Sequence, residues 1–253
     1  MGFLKEKYTR EYFLSQDKNG NKLNYGALGG KEFLEGEIFE DISDSLATIK
    51  NYEHKNILEI GFGRGESIKY LVQHGIDSYC GVDFSKDAFD LAQEFVVDKM
   101  NEEDKKKVHI FCDDALNFLE NYKEKLKNNI DIIVILDAIE HIPSDEMRKI
   151  LEIFNYISKE GTYFVGHTPF YEVDEDYIKQ DYKYRRPSPS DLTEETKGMH
   201  CNKYTKKRFF KELNDAGFIH VKENRLFIKK RENFFIKLIK KFLRKTNLII
   251  NIL

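Results

Sequence analysis

Apolar runs alternate with amphipathic stretches from residue 55 onward. Short apolar runs are typical of strands, and apolar positions recurring every three or four residues are typical of helices. The predicted strands are Asn56–Ile60, Ser78–Asp83, Lys107–Cys112, Ile130–Leu136 and Thr162–His167. The predicted helices are Gly65–His74, Lys86–Met100, Ala115–Lys127, Ser144–Ser158 and Lys206–Ala216. Such alternation predicts parallel strands joined by helical crossovers.

The predicted fold is α/β and Rossmann-like, a doubly wound and mostly parallel sheet. Residues 132–136 are apolar at consecutive positions, as in a central strand covered on both faces. A hairpin of two short strands, 219–222 and 225–229, would bring the sheet to seven strands, the last one antiparallel. In such folds ligands bind at the carboxyl ends of the strands.

Three segments flank or interrupt this pattern, and they divide the chain into 1–54, 55–230 and 231–253. In the first segment apolar residues recur at helical spacing, which predicts one helix or a pair before the first strand. Those residues are Phe33, Ile38, Ile42, Leu46 and Ile49. Within the central domain, residues 171–200 are rich in tyrosine and charge and lack periodicity, so we interpret them as an inserted lid.

The last segment, 231–253, is a predicted basic amphipathic helix. It carries a charge of about +5, and the remainder of the chain about −8. Such a helix can lie on an anionic membrane surface, pack on its own domain, or mediate self-association. These alternatives stay open at this level.

Composition narrows the functional class. A formal net charge of −3 gives no reason to expect nucleic acid as a partner. The three cysteines are scattered, which argues against a disulfide framework and favours a reducing cytoplasm. We find no signal-peptide layout and no transmembrane-length apolar run. The sequence therefore predicts a cytoplasmic protein, with peripheral contact at the inner membrane face as an option for the tail.

The first strand leads into a loop with glycines at alternating positions, Gly61, Gly63 and Gly65, directly after Glu59 and Ile60. Glycines allow a tight turn and close approach of the backbone to a ligand. A dinucleotide fingerprint would need glycine at the next position, which here is Glu66. A simple tight turn between strand and helix is the alternative interpretation.

This acidic strand end with its glycine loop resembles the first motif of class I S-adenosylmethionine (SAM)-dependent methyltransferases. The motif after the fourth strand, Asp137-Ala138-Ile139-Glu140-His141-Ile142, is similar to that of small-molecule methyltransferases in the same family. The resemblance covers roughly residues 55–145 and 200–230. It implies SAM as cofactor and S-adenosylhomocysteine as product.

The resemblance also implies roles for the strand ends. Glu59 would receive the amino group of SAM, Asp83 the ribose hydroxyls, and Asp114-Ala115 the adenine amine. Phe84 could lie against the adenine or belong to the core, and Asp113 and Asp114 could simply be acids at a helix start. With the three glycines and Asp137, these residues are the predicted cofactor site.

Methyl transfer to a hydroxyl requires a group that accepts its proton. His141 is the first candidate because it follows the fourth strand, and a structural role before Pro143 is its alternative. His167 and His200 are further candidates, and no ligand spacing supports a metal site. The predicted substrate-binding residues are Tyr171, Arg185, Arg186 and Tyr204.

The sequence thus predicts an enzyme that methylates an oxygen of a small molecule. The overall look and the lid arginines are similar to bacterial methyltransferases of surface-polysaccharide tailoring, in particular of the capsular O-methyl phosphoramidate modification. Two alternatives are a quinone or phenol O-methyltransferase at the membrane surface and a non-catalytic SAM-binding module.

Overall fold

The computed structural model of this protein describes residues 5–14, 30–168, 202 and 204–218. Its centre is a five-stranded sheet in the order β3-β2-β1-β4-β5, with all pairs parallel. The strands are β1 Asn56–Ile60, β2 Ser78–Asp83, β3 Val108–Cys112, β4 Ile130–Leu136 and β5 Ser158–His167. The predicted Rossmann-like α/β fold is confirmed. The predicted sixth and seventh strands, 219–222 and 225–229, of which the last was predicted to be antiparallel, lie outside the described residues.

Nine α-helices occur in the described part of the chain. They are α1 Arg10–Leu14, α2 Gly30–Leu34, α3 Glu40–Leu46, α4 Glu66–Gln73, α5 Lys86–Phe95, α6 Glu102–Lys105, α7 Ala115–Leu126, α8 Ser144–Ile157 and α9 Lys206–Asp215. Short 3₁₀ turns lie at Lys5–Lys7, Val97–Lys99 and Ile139–His141. Among the described residues, no helix is long and apolar enough to cross a membrane.

The sheet separates two hydrophobic cores, and alternate residues of β4 supply them. Ile132 and Val134 pack with α4, α5 and the N-terminal helices, whereas Ile133 and Ile135 pack with α7, α8 and α9. Successive strand side chains point to opposite faces, so a strand covered on both faces must be apolar throughout. The central position of β4, predicted from its continuous apolar run, follows from this requirement.

The element boundaries differ from the predicted ones where local geometry intervenes. The predicted helix 86–100 ends at Phe95 and continues as a 3₁₀ turn, after which Asn101 caps the short, unpredicted α6. Strand β5 begins four residues earlier than predicted, because Ser158 pairs with Ile130 before an irregularity in the register. Gly161 lies in that irregular stretch with φ of 87°, which favours glycine.

The N-terminal helices share the core of the sheet. Phe33 and Leu46 are buried in the same cluster as Ile68 and Leu71 of α4. The two helices α2 and α3 correspond to the predicted pair, whereas α1 was not predicted from its polar surroundings. Together these helices lie beside the glycine loop, at the edge of the sheet where the strands end.

Candidate active site

A cavity lies at the carboxyl ends of the parallel strands, where ligands bind in doubly wound folds. Most of the predicted cofactor residues line it: Glu59, Gly61, Gly63, Asp83, Phe84, Asp114, Ala115 and Asp137. His141 and His167 line the same cavity. The cavity therefore brings together predicted site residues, such as Glu59 and His167, that lie more than a hundred positions apart in the chain.

The glycine loop forms a cradle that side chains would fill. Gly61, Gly63 and Gly65 all have positive φ, at 76°, 54° and 86°. A Cβ atom on Gly61 would lie 2.6 Å from Cβ of Ala138, at the end of β4. A Cβ atom on Gly65 would lie 2.9 Å from Cβ of Ala92 in α5, so this glycine lets the loop pack on the helix behind it. The loop is open at the strand ends because Gly61 and Gly63 lack side chains.

Asp83 fixes the loop to the end of β2. Its Oδ2 accepts a hydrogen bond of 2.9 Å from the amide of Gly63, and its Oδ1 accepts one of 2.8 Å from the amide of Ser85. Burial raises the pKa of Asp83 to about 6, although these two hydrogen bonds oppose the shift. Each carboxylate oxygen can accept a second hydrogen bond, as contact with ribose hydroxyls requires.

Glu59 is buried at the end of β1. Its Oε2 accepts hydrogen bonds from the hydroxyls of Ser67 at 2.8 Å and Tyr79 at 2.5 Å. Burial raises the pKa of Glu59 to about 7, against the opposing effect of these hydrogen bonds. A cation bound beside this carboxylate would favour its ionised form.

Asp114 begins α7 as its N-cap. Its Oδ1 accepts hydrogen bonds from the amides of Leu116 and Asn117, at 3.0 and 3.4 Å. Asp113 binds the side-chain amide of Asn117. Both acids thus stabilise the helix start, which was the alternative interpretation of this pair, and both also line the cavity.

The end of β4 carries a second group of polar side chains. Asp137 has φ of 50°, a left-handed conformation that aspartate tolerates better than most residues. Its Oδ1 lies 2.7 Å from Nδ1 of His167. Glu140 is buried and accepts a hydrogen bond from the hydroxyl of Thr168. Burial, reinforced by the charge of Asp137, raises the pKa of Glu140.

His141 lies in the 3₁₀ turn after β4 and is buried. Its Nδ1 is 2.7 Å from the hydroxyl oxygen of Tyr8. The Tyr8 ring also packs edge-on against Phe84, with centroids 4.8 Å apart. Tyr8 therefore connects the predicted cofactor side of the cavity with the predicted catalytic histidine.

The N-terminal helices form a wall that sequence reasoning did not assign to the site. Its lining residues are Tyr8, Tyr12, Phe13, Phe39, Asp41 and Ile42. Arg64 and Glu66 hold this wall to the glycine loop: Arg64 donates to Glu66 and to the carbonyl of Phe13, and Glu66 accepts from the amide of Phe39. The charged residues Arg64 and Glu66, at the end of the loop and the start of α4, are the sequence feature that could have indicated this wall.

The remaining predicted residues lie elsewhere. Tyr204 is fully buried in the core on the α8–α9 side, donates to Glu212 at 2.5 Å, and is not among the residues that line the cavity. Tyr171, Arg185, Arg186 and His200, with the predicted lid and the tail 231–253, lie outside the described residues. Among the residues that are described, no three metal-ligating side chains form a group able to hold an ion.

A protein-family profile described as a methyltransferase domain matches residues 31–223, well over half of the chain. The chain belongs to this methyltransferase family. The matched region includes all five described strands and the described cavity residues other than Tyr8, Tyr12 and Phe13. The prediction of a class I SAM-dependent methyltransferase is confirmed.

Solved structures share the fold of this methyltransferase at low identity. Magnesium protoporphyrin IX methyltransferase from Synechocystis PCC 6803, solved with S-adenosylhomocysteine, has a TM-score of 0.52 and 15% identity and covers 84% of this chain and 83% of its own. An O-methyltransferase family protein from Burkholderia thailandensis has a TM-score of 0.53 and 11% identity, covering 77% and 55%. The third structure is the complex between the Haloferax volcanii Trm112 methyltransferase activator and a methyltransferase. The matching chain has a TM-score of 0.55 and 18% identity, and the match covers 77% of this chain and 74% of that one.

Enniatin synthase of Fusarium equiseti and enniatin synthetase of Fusarium oxysporum are each 29% identical to the methyltransferase over 118 residues. This segment is 46% of the chain but only 4% of either fungal protein, so the chain spans a small part of the curated relatives that it matches. The similarity is to one segment of much larger proteins.

SAM is the cofactor of this methyltransferase, and the described cavity fits it. The glycine cradle admits a ligand at the strand ends, and Asp83 has acceptor capacity for ribose hydroxyls. Among the described lining residues, nine carboxyl side chains stand against one arginine and two histidines, which suits a ligand with an ammonium and a sulfonium group. When bound, SAM supplies an electrophilic methyl group.

Proposed function

We propose that this methyltransferase transfers the methyl group of SAM to an oxygen of a small molecule. The observation that carries the proposal is that two histidines, His141 and His167, line the cofactor cavity, each with its Nδ1 atom in a hydrogen bond. Imidazole accepts protons near neutral pH. A hydroxyl acceptor needs such a group, because its oxygen gains a bond to carbon as it loses its proton.

In this proposal the cofactor half of the cavity is built by the ends of β1, β2 and β3. Glu59, Asp83 and Asp114 hold SAM, and Ala115 and Phe84 provide apolar contact to the adenine. The wall formed by α1 and α3 excludes water from the acceptor half, since it brings Tyr12, Phe13, Phe39 and Ile42 to the cavity.

The charge of the cavity bears on the acceptor. Nine carboxyl groups line it, and its single described arginine, Arg64, is paired with Glu66. This lining favours a neutral hydroxylated acceptor. A phosphorylated or sugar-linked precursor of a surface polysaccharide would need the positive charge of Arg185 and Arg186, which lie outside the described residues.

The test is methyl transfer from labelled SAM to three acceptors that differ in charge and chemistry: a simple sugar, the corresponding sugar phosphate, and a phenol. We expect O-methylation of at least one of these three acceptors. Binding of SAM without transfer to any of the three acceptors would contradict the proposal.

The cofactor half of the proposal has its own test. Removing the carboxylate of Asp83 leaves the amides of Gly63 and Ser85 without an acceptor and removes the expected ribose contact. We expect Asp83→Ala to weaken SAM binding at least tenfold, roughly 1.4 kcal/mol, by calorimetry. The matched control is Asp77→Ala, which removes an exposed carboxylate away from the cavity. Unchanged affinity in a folded Asp83→Ala variant would refute the assignment.

A further inference from the structure

The two histidines of the cavity have different hydrogen-bond partners. Asp137 Oδ1 lies 2.7 Å from Nδ1 of His167, and an ionised carboxylate can only accept a hydrogen bond. The proton of this bond must therefore lie on Nδ1 of His167. In the neutral ring, Nε2 of His167 then has no proton and is an acceptor.

The contact between Tyr8 and His141 does not fix which ring nitrogen of His141 carries the proton. The hydroxyl of Tyr8 can donate to Nδ1 or accept from it. When Tyr8 donates, Nε2 of a neutral His141 carries the proton, and this ring cannot then accept one there. The Asp137 contact sets the tautomer that a general base needs.

Backbone geometry fixes the pair of Asp137 and His167. Leu136 and His167 are register partners at the ends of β4 and β5, and the amide of Asp137 donates to the carbonyl of His167 at 3.0 Å. The left-handed conformation of Asp137, with φ of 50°, occurs at this point. Uncommon backbone conformations in non-glycine residues concentrate at functional sites.

Exposure and charge also distinguish the two rings. The side chain of His167 is 38% exposed, whereas His141 is buried, so His167 is the more accessible to an acceptor. Three carboxyl groups from three elements face His167: Asp137 after β4, Glu140 in the 3₁₀ turn and Asp41 in α3. Negative charge on several sides stabilises the imidazolium that forms when the ring takes a proton.

We propose that His167, oriented by Asp137, is the general base of this methyltransferase, and that His141 is not. The proposal rests on the proposed O-methylation. The acceptor oxygen forms a bond to the methyl carbon, the carbon–sulfur bond breaks and leaves its electron pair on sulfur, and the hydroxyl proton passes to Nε2 of His167. Asp137 is a positioning residue that holds the ring and stabilises its charged form.

The pKa of His167 supports this division. Burial alone lowers it, but the hydrogen bond to Asp137 and the surrounding negative charges raise it above its usual value of 6.5. Turnover should therefore rise with pH as His167 loses its proton.

The first experiment needs no acceptor. Nitrogen-15 NMR of histidine-labelled full-length protein with S-adenosylhomocysteine reports the tautomer and pKa of each ring, and His167→Gln assigns the signal. We expect neutral His167 to carry its proton on Nδ1, and Asp137→Asn to lower its pKa. Asp77→Asn is the matched control, because it alters an exposed pair with His54 of 3.0 Å. A neutral ring protonated on Nε2, or a pKa that Asp137→Asn leaves unchanged, would overturn the proposal.

The second experiment measures turnover on whichever of the three hydroxyl acceptors the wild type methylates. We expect His167→Gln to lower kcat by about 100-fold and to leave SAM affinity within about twofold. Asp137→Asn should lower kcat and shift the midpoint of the pH profile downward. Wild-type kcat in His167→Gln, or a larger loss in His141→Gln than in His167→Gln, would overturn the proposal. If the wild type methylates no hydroxyl, the proposed O-methylation fails, and the NMR experiment still decides the tautomer.

Discussion

At the scale of single residues, the cavity is lined by carboxyl groups whose pKa values are raised by burial. Glu59 is 1% exposed, with its pKa raised to about 7, and Asp83 is similarly buried. In the unfolded chain Glu59 would titrate near 4.5. Between about pH 4.5 and pH 7 the folded protein therefore keeps the proton of Glu59, whereas the unfolded chain has lost it. The free energy of unfolding should fall as the pH rises through this range.

We expect this shift to make cofactor binding pH-dependent. In the proposed site the positive groups of SAM lie beside Glu59 and favour its ionised form, so binding below pH 7 should release a proton. We expect SAM affinity to rise by about tenfold between pH 6 and 8, and the calorimetric heat to depend on the buffer. Glu59→Gln should remove most of this dependence, whereas Glu53→Gln, at an exposed position, should not. Heats that are independent of the buffer would contradict the prediction.

The glycine loop offers a matched pair of substitutions. Gly61 and Gly161 both have positive φ, at 76° and 87°, so alanine strains the backbone at either position by about 1 kcal/mol. The surroundings differ: a Cβ on Gly61 would meet Ala138 at 2.6 Å, whereas nothing lies within 4 Å of one on Gly161.

We therefore expect Gly61→Ala to weaken SAM binding more than tenfold, because the methyl group disturbs the cradle between β1 and β4. Gly161→Ala should lower stability slightly and leave SAM affinity unchanged. Calorimetry and thermal unfolding of both variants are the measurements. Equal affinity in the two variants would show that strain, and not the space in the cradle, governs binding.

At the scale of elements, the residue that caps the start of α7 has two predicted roles. Asp114 caps the helix through Oδ1 and also lines the cavity. Asp114→Ala should lower the free energy of unfolding by about 1 kcal/mol and weaken SAM binding. Asp114→Ser keeps a capping oxygen without the charge, so it should retain the stability of the wild type but not its affinity for SAM. Wild-type stability and wild-type SAM affinity in this variant would show that Asp114 acts only as a helix cap.

At the scale of the whole molecule, the N-terminal helices are joined to the sheet through a buried ion pair. Arg64 and Glu66 are 6% and 3% exposed, and their closest contact is 2.7 Å. Arg64 also lies over the ring of Phe33, 5.4 Å from its centroid, and donates to the carbonyl of Phe13. The side chain of Arg64 thus contacts α1, α2 and the start of α4.

Removal of Arg64 would leave Glu66 buried without its charge partner. We expect Arg64→Ala to lower the free energy of unfolding by about 3–5 kcal/mol, and to expose the N-terminal segment to limited proteolysis. Lys31→Ala is the control, because it breaks an exposed pair with Glu35 of 3.6 Å. If chemical denaturation finds the two variants equally stable, the pair does not hold the N-terminal helices in place.

The sequence alone determined the elements of the sheet. Strands β1, β2 and β4 begin and end where the pattern predicts, because a run of buried positions bounded by polar residues is a local property. The glycine loop and the acids that follow the strands could be assigned for the same reason. Parallel strands bring their ends to one edge, so Glu59, Asp83 and Asp114 were predicted to meet, and they do line one cavity.

Only the tertiary structure decided how these groups act. The contact of His167 with Asp137, the contact of His141 with Tyr8, and the anchoring of α1 by Arg64 join residues far apart in the chain. The raised pKa values of Glu59 and Asp83 arise mainly from burial. No local pattern encodes these properties, because hydrogen-bond partners and desolvation depend on which segments fold against one another.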